Sequence, residues 1–176
     1  MKKSIDKYIE EIYIEKKYHL LYEKYKTKLE FIEDILKNLK SYFINYSSHP
    51  SYCYGKTWVI EFKNFENIEY KTEIYISQIA PVYFIFHCIE YHNNYSDSTD
   101  KNIESFETFP YTKSQAEFHS LFTEKMNRYN YIEYKDSNEG IIEFKNNTFS
   151  LMGEEQYTAF DIFFNDVFNL LNHKRS

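Results

Sequence analysis

Glycine and arginine are nearly missing from this chain of 176 residues, and each scarcity closes a route to function. The three glycines, Gly55, Gly140 and Gly153, stand alone. A phosphate-binding loop or a dinucleotide fingerprint needs several glycines within a few residues, because backbone amides must approach a phosphate closely; neither can exist here. A Gly-x-Ser-x-Gly nucleophile turn is also missing. Arginine occurs only as Arg128 and Arg175, and the lysines are interleaved with glutamate. Nucleic-acid binding rests on clustered Lys and Arg, with Arg the main reader of base edges, so no nucleic-acid partner is expected. Cys53 and Cys88 are too few for a disulfide scaffold, and no Cys/His cluster has zinc-ligand spacing. Two thiols in a reducing compartment are expected, with no metal and no cofactor. The longest apolar run, residues 79–86, is far short of the roughly 20 residues that cross a bilayer, so no membrane association is expected. Met1-Lys2-Lys3 begins like a signal peptide, but Asp6, Glu10 and Glu11 interrupt the apolar stretch that should follow. A cytoplasmic location is the expectation.

What is present is apolar and acidic. Hydrophobic residues make up 43% and aromatics 20%, which is enough for a core without covalent staples. Ile, Lys, Tyr, Phe and Asn, all with AT-rich codons, fill half the chain. This bias fits an AT-rich genome, as in many low-GC bacteria. The tyrosines are then in part a product of codon usage and do not by themselves signal stacking on bases or sugars. The net charge of −6 is compatible with a basic protein partner.

Residues 1–46 read as a helical segment. No Gly or Pro occurs from 4 to 45, and Tyr18, Tyr22, Tyr25, Leu29, Ile32, Leu36, Leu39 and Phe43 recur at alternating spacings of four and three. That stripe is expected to face the core; a homodimer through the seam from Tyr18 to Phe43 is the alternative use. One straight helix of this length would reach about 60 Å, against a radius of gyration near ~16 Å for a compact chain, so a break is expected near residues 15–19. The Ser47-Ser48-His49-Pro50-Ser51 stretch ends the segment.

Residues 57–91 read as three strands. Trp58, Ile60 and Phe62 alternate with Val59, Glu61 and Lys63; Ile68, Tyr70, Thr72, Ile74 and Ile76 alternate with Glu69, Lys71 and Glu73. Residues 82–91 are apolar on both faces, which predicts a central strand. Residues 92–109 are polar and read as a long loop. Thr112 with Gln115, or Ser114 with Glu117, can form a capping box opening a helix over 112–127. Residues 129–152 read as strands, with a hairpin at Asn146-Asn147, and 154–173 as a largely buried helix. The whole is predicted to be a single α+β domain over 1–176. Its antiparallel or mixed sheet of five to six strands is backed by an N-terminal helical segment, a middle helix and a C-terminal helix.

Ile60-Glu61-Phe62-Lys63 recurs as Ile142-Glu143-Phe144-Lys145, and Ile68-Glu69-Tyr70-Lys71 as Ile132-Glu133-Tyr134-Lys135. This reads as one strand template used four times, with Ile and an aromatic inward and Glu and Lys outward. Cross-strand Glu–Lys pairs would contribute about 0.2–1 kcal/mol each. Glu-x-Lys on a strand also resembles part of the active site of the PD-(D/E)xK nuclease superfamily, which places a helix before three strands and another after them. The resemblance implies a Mg²⁺-ligating Glu and a Lys that supports the nucleophilic water. The pattern also requires an Asp on the preceding strand. Asp34 instead falls on the predicted helix, and Asp136 in a turn.

His87 and Cys88 are neighbours on a strand and point to opposite faces, so they cannot act as a nucleophile and its base. Cys88 is expected in the core, and His87 there with one hydrogen-bond partner; His119, on the middle helix, could approach the sheet. No catalytic residue is assigned. The expected function is a non-enzymatic protein-binding module, most concretely a bacterial immunity protein that neutralises a basic toxin. Contacts are expected from Tyr95, Asp97, Asp100, Glu104 and Glu107 on the long loop. The alternatives are a nuclease-like metal-dependent enzyme using Glu-x-Lys, and a structural protein using the N-terminal seam.

Overall fold

A computed structural model describes residues 11, 15, 17, 19, 28–51, 54–92, 103–135, 142–143 and 156–164. Five strands form an antiparallel meander in chain order: β1 (Asn45–Ser51), β2 (Gly55–Glu61), β3 (Ile68–Ser77), β4 (Val82–Tyr91) and β5 (Ile103–Glu107). A short β6 (Ile132–Glu133) adds in parallel to the first residues of β4, giving a six-stranded mixed sheet. The helices are α1 (Glu30–Asn38), α2 (Lys113–Arg128) and α3 (Ala159–Phe164). β7 (Ile142–Glu143) pairs with β8 (Gln156–Tyr157) in a separate ribbon. The predicted α+β arrangement is the one observed.

The period-two alternation sorts the sheet into two faces. Trp58, Ile60, Ile74, Ile76, Tyr83 and Ile85 are buried on one face against Leu29, Ile32, Leu36, Phe118, Phe122 and Met126. α1 and α2 therefore cover this helical face. On the opposite face, Tyr75 and Phe84 meet Phe160 and Phe164 of α3, but only toward one end of the strands. β4 is central, as its double-sided apolar pattern predicts, flanked by β3 on one edge and by β5 and β6 on the other.

α2 begins with the predicted capping box. The Thr112 hydroxyl accepts from the Gln115 amide, and the Gln115 side chain accepts from the Thr112 amide. Gln115 Nε2 also donates to the Lys71 carbonyl at 2.8 Å, which locks the helix start to β3. The helix ends at Arg128, and just past its C-cap Tyr129 the chain turns at Asn130, whose φ of 60° is a left-handed conformation that Asn tolerates well.

Four expectations are corrected. The helical segment does not run to residue 46. α1 ends at Asn38, a 3₁₀ turn (Lys40–Tyr42) follows, and residues 45–51 form an edge strand. The 4-3 stripe persists past the helix end because Leu39 and Phe43 are still buried, at 3% and 8% exposure, from non-helical backbone. β1 escapes pattern reading because it is polar and contains Pro50, which an edge strand accommodates. The predicted loop 92–109 contains β5, whose Glu-Ser-Phe-Glu run has weak strand character but pairs with β4. Among the described residues of 129–152, Ile132–Glu133 joins the main sheet, and Ile142–Glu143 pairs with residues 156–157. The last helix accordingly starts at Ala159, not at 154.

Tyr18, Tyr22, Tyr25 and Cys53 lie outside the described residues, as do residues 144–155 and 165–176. Within the seam, Leu29, Ile32, Leu36, Leu39 and Phe43 face this chain's own core. Glu15 sits at a bend and Lys17 outside any helix, in line with the expected break. Among the described residues no helix is long and apolar enough to cross a membrane.

Candidate functional site

The sheet face that α3 leaves uncovered is strongly acidic. Strand register places Glu61 of β2 opposite Lys71 of β3, Glu69 of β3 opposite Glu90 of β4, and Glu90 opposite Glu104 of β5. Directly opposed residues share a face, so three glutamates stand in one row across three adjacent strands, with Glu61 and Glu73 beside them. Like charges directly opposite one another are destabilising in a sheet. Burial of carbon cannot have selected this row.

One lysine holds the row together. Lys71 Nζ lies 2.8 Å from Glu69 and 2.9 Å from Glu90. The hydrogen bonds it donates to Glu69 and then to Glu90 push the Lys71 ammonium's pKa well above its ordinary value. The Lys71 hydrogen bond also holds Glu69 below the usual carboxylate range, against the opposing effect of burial. His92 completes the cluster, with Nε2 at 3.2 Å from Glu69 and Nδ1 at 3.9 Å from Glu90. Ligand atoms of Glu69, Glu90 and His92 lie within 4.8 Å of one another, close enough to converge on a divalent cation. The Lys71 ammonium already bridges the same two carboxylates, so a metal would have to displace it. Cys88 lies under this face at 2% exposure. Burial, then the charges of Glu73 and Glu104, raise its thiol pKa far above the reactive range.

Next to the cluster the face opens into a pocket of about 420 Å³, lined by Glu73, Tyr75, Phe86, Phe106, Thr158, Phe160 and Asp161. Tyr75 packs edge-on against Phe86 and Phe160, with ring centroids 5.8 and 5.2 Å apart. Phe106 stays 47% exposed. The Tyr75 hydroxyl donates to the Glu73 carboxylate. Asp161 Oδ2 accepts from the Thr158 amide at 3.1 Å and its hydroxyl at 2.6 Å, which fixes the start of α3.

A second polar system lies between the helical face and α2. Thr72, His87, His119, Glu133, Thr123 and Tyr83 form one hydrogen-bonded chain, with links of 2.8, 2.9, 2.9, 3.2 and 3.1 Å in that order. An ionised Glu133 can only accept, and this assigns every proton for neutral imidazoles. His119 Nε2–H donates to Glu133, His119 Nδ1 accepts from His87 Nε2–H, and His87 Nδ1 accepts from the Thr72 hydroxyl. Burial lowers the His87 pKa to about 4, and the neighbouring His119 adds to the shift. Burial alone would raise the Glu133 pKa, but the His119 hydrogen bond and charge outweigh it and hold it low. Thr72 and His87 have no exposed surface, and Tyr83 at the other end has none either. A proton relay needs an end that meets substrate. Both ends of this chain are buried, and its links fasten α2 and β6 to the sheet.

The residues expected to contact a partner are divided. Tyr95, Asp97 and Asp100 lie outside the described residues. Glu104 is exposed on β5 in the acidic row. Glu107, three residues from Glu104, is out of phase with it: it pairs with His87 and belongs to the helical face. His87 is in the core as expected, with two partners, not one. Glu133, expected to face outward like its counterparts in the repeated phrase, is turned in toward His119 with its side chain 9% exposed. The residues that sequence reasoning missed are Glu61, Glu69, Lys71, Glu73 and Glu90 as one patch. Their outward phase was legible; their cross-strand alignment depends on register, which a single sequence does not state. The chain matches no family model, no curated protein and no solved structure.

Proposed function

We propose that this chain is a non-enzymatic protein-binding module whose acidic sheet face receives a basic partner, and in its most concrete form a bacterial immunity protein that covers a basic toxin. The observation that carries this reading is the in-register row Glu69–Glu90–Glu104, flanked by Glu61 and Glu73 and balanced by Lys71. A fold gains nothing from like charges aligned across strands, whereas electrostatic docking gains both rate and selectivity from them. The aromatic rings bordering the row add contact area of the kind found at the centre of interfaces.

The test begins with capture of the partner from source cells and continues with association kinetics over a salt series. The reading predicts a basic partner whose association rate falls steeply with added salt. It also predicts a drop of about tenfold or more in that rate for Glu61→Lys plus Glu104→Lys, with secondary structure unchanged. A neutral or acidic partner, or kinetics indifferent to salt, would overturn it.

A second reading has one specific observation in its favour. Glu90 places a second carboxylate beside Glu69-x-Lys71, although it comes from the following strand and not from an Asp on the preceding one. It predicts Mg²⁺-dependent cleavage of nucleic acid by the purified chain, abolished in Glu69→Gln. It ranks second because Lys71 already bridges both carboxylates, so a metal would have to displace it.

A further inference from the structure

The pocket beside the acidic row has a composition that selects its occupant. Its walls are four aromatic rings, Tyr75, Phe86, Phe106 and Phe160, and its polar groups include two carboxylates, Glu73 and Asp161. Lys71, on the same strand and face as Glu73, is committed to Glu69 and Glu90. Among the described residues Glu73 has no ion-pair partner; its contact is the neutral Tyr75 hydroxyl. The Glu73 carboxylate is therefore a negative charge set among π-faces. A neutral apolar guest would leave that carboxylate facing hydrocarbon, and an anion would be repelled. A cation with a flat, weakly hydrated surface satisfies both walls at once, stacking on aromatic faces while donating hydrogen bonds to a carboxylate.

We propose that this pocket seats an arginine side chain of the basic partner, the guanidinium lying against Phe106 and Phe160 and donating to Glu73. The proposal rests on the reading of the acidic face as a docking surface, and it names the anchor of that surface. The volume, about 420 Å³, accommodates a side chain and not a folded element. Phe106, half exposed on the outermost strand of this face, is the wall that a docking chain meets first. Arginine is also among the residues enriched where interface energy concentrates.

The test uses the full chain and two soluble probes. Nα-acetyl-arginine N-methylamide is titrated while the aromatic side-chain resonances are followed by NMR, with the citrulline counterpart, equal in shape but uncharged, as control. Saturable shifts at Phe106 and Phe160 are expected, with a dissociation constant on the order of 1–10 mM, as befits a fragment. Citrulline should bind at least about tenfold more weakly, as should arginine to Glu73→Gln. Phe106→Ala, at a half-exposed position, gives the same loss should Glu73→Gln fail to fold. A decalysine peptide, titrated over a salt series, reports on the acidic face independently. Decalysine binding without arginine shifts overturns the pocket and leaves the face intact. Absence of both overturns both. Equal binding of citrulline and arginine overturns the cation site, since the pocket would then be merely apolar.

Discussion

At the scale of single residues, carboxylates have three distinct jobs in this chain, and environment separates them. Glu33 is an anchor: it accepts from the Tyr46 hydroxyl at 2.8 Å and from Trp58 Nε1–H at 2.9 Å, tying α1 to β1 and β2. Burial alone would raise its pKa, but these donors hold it low. Glu33→Ala strands the fully buried Trp58 indole N–H, and a loss of about 1–3 kcal/mol is expected in chemical denaturation. Glu133 is the fixed acceptor that orients two imidazoles. Because His87 titrates near 4 in the folded chain against about 6.5 unfolded, the unfolded state binds the proton more readily between those values. Stability should therefore fall as pH drops from about 6.5 toward 4, by about 3 kcal/mol at most. His87→Gln should flatten that part of the profile, and an unchanged slope would show that His87 does not carry it. Glu69, Glu90 and Glu104 are the third kind, held in a row that costs stability.

At the scale of elements, the strongly patterned segments were legible and the weak ones were not. β2 and β3 follow from alternation, β4 from its apolar run, and α2 from its capping box, since local chemistry and tertiary need agree there. β1 and β5 were hidden because an edge strand needs neither alternation nor β-branched residues; a neighbour's free backbone suffices. α1 was predicted too long because Leu39 and Phe43 keep the helical spacing while buried from a 3₁₀ turn and an extended residue. The docking of α3 was also illegible, yet one glycine depends on it. A Cβ on Gly55 would stand 2.5 Å from the Phe164 ring, so the closeness of β2 to α3 requires glycine there. Gly55→Ala should cost about 1–3 kcal/mol through overpacking. If it proves neutral in thermal unfolding, α3 does not pack on β2 as described.

At the scale of the whole molecule, the two sheet faces divide the labour. The helical face holds most of the described buried side chains and the hydrogen-bonded histidine chain, and it accounts for folding. The other face carries α3 at one end, and at the other an acidic row and an aromatic pocket. Of the candidate site, sequence reading supplied Glu104 and the acidic character; the alignment of three glutamates and the ring of aromatics came from register and from α3. The central claim is that the glutamate row serves docking at the expense of the fold, and it can be tested without any partner. Glu104 is exposed and opposes Glu90 directly, so replacing it with the opposite charge removes a repulsion and adds an attraction. The decisive measurement is the urea midpoint of Glu104→Lys against the native chain at low salt. A gain of about 0.2–1 kcal/mol, shrinking as salt is added, is predicted. A loss of stability would show that the row supports the fold, and would contradict the account.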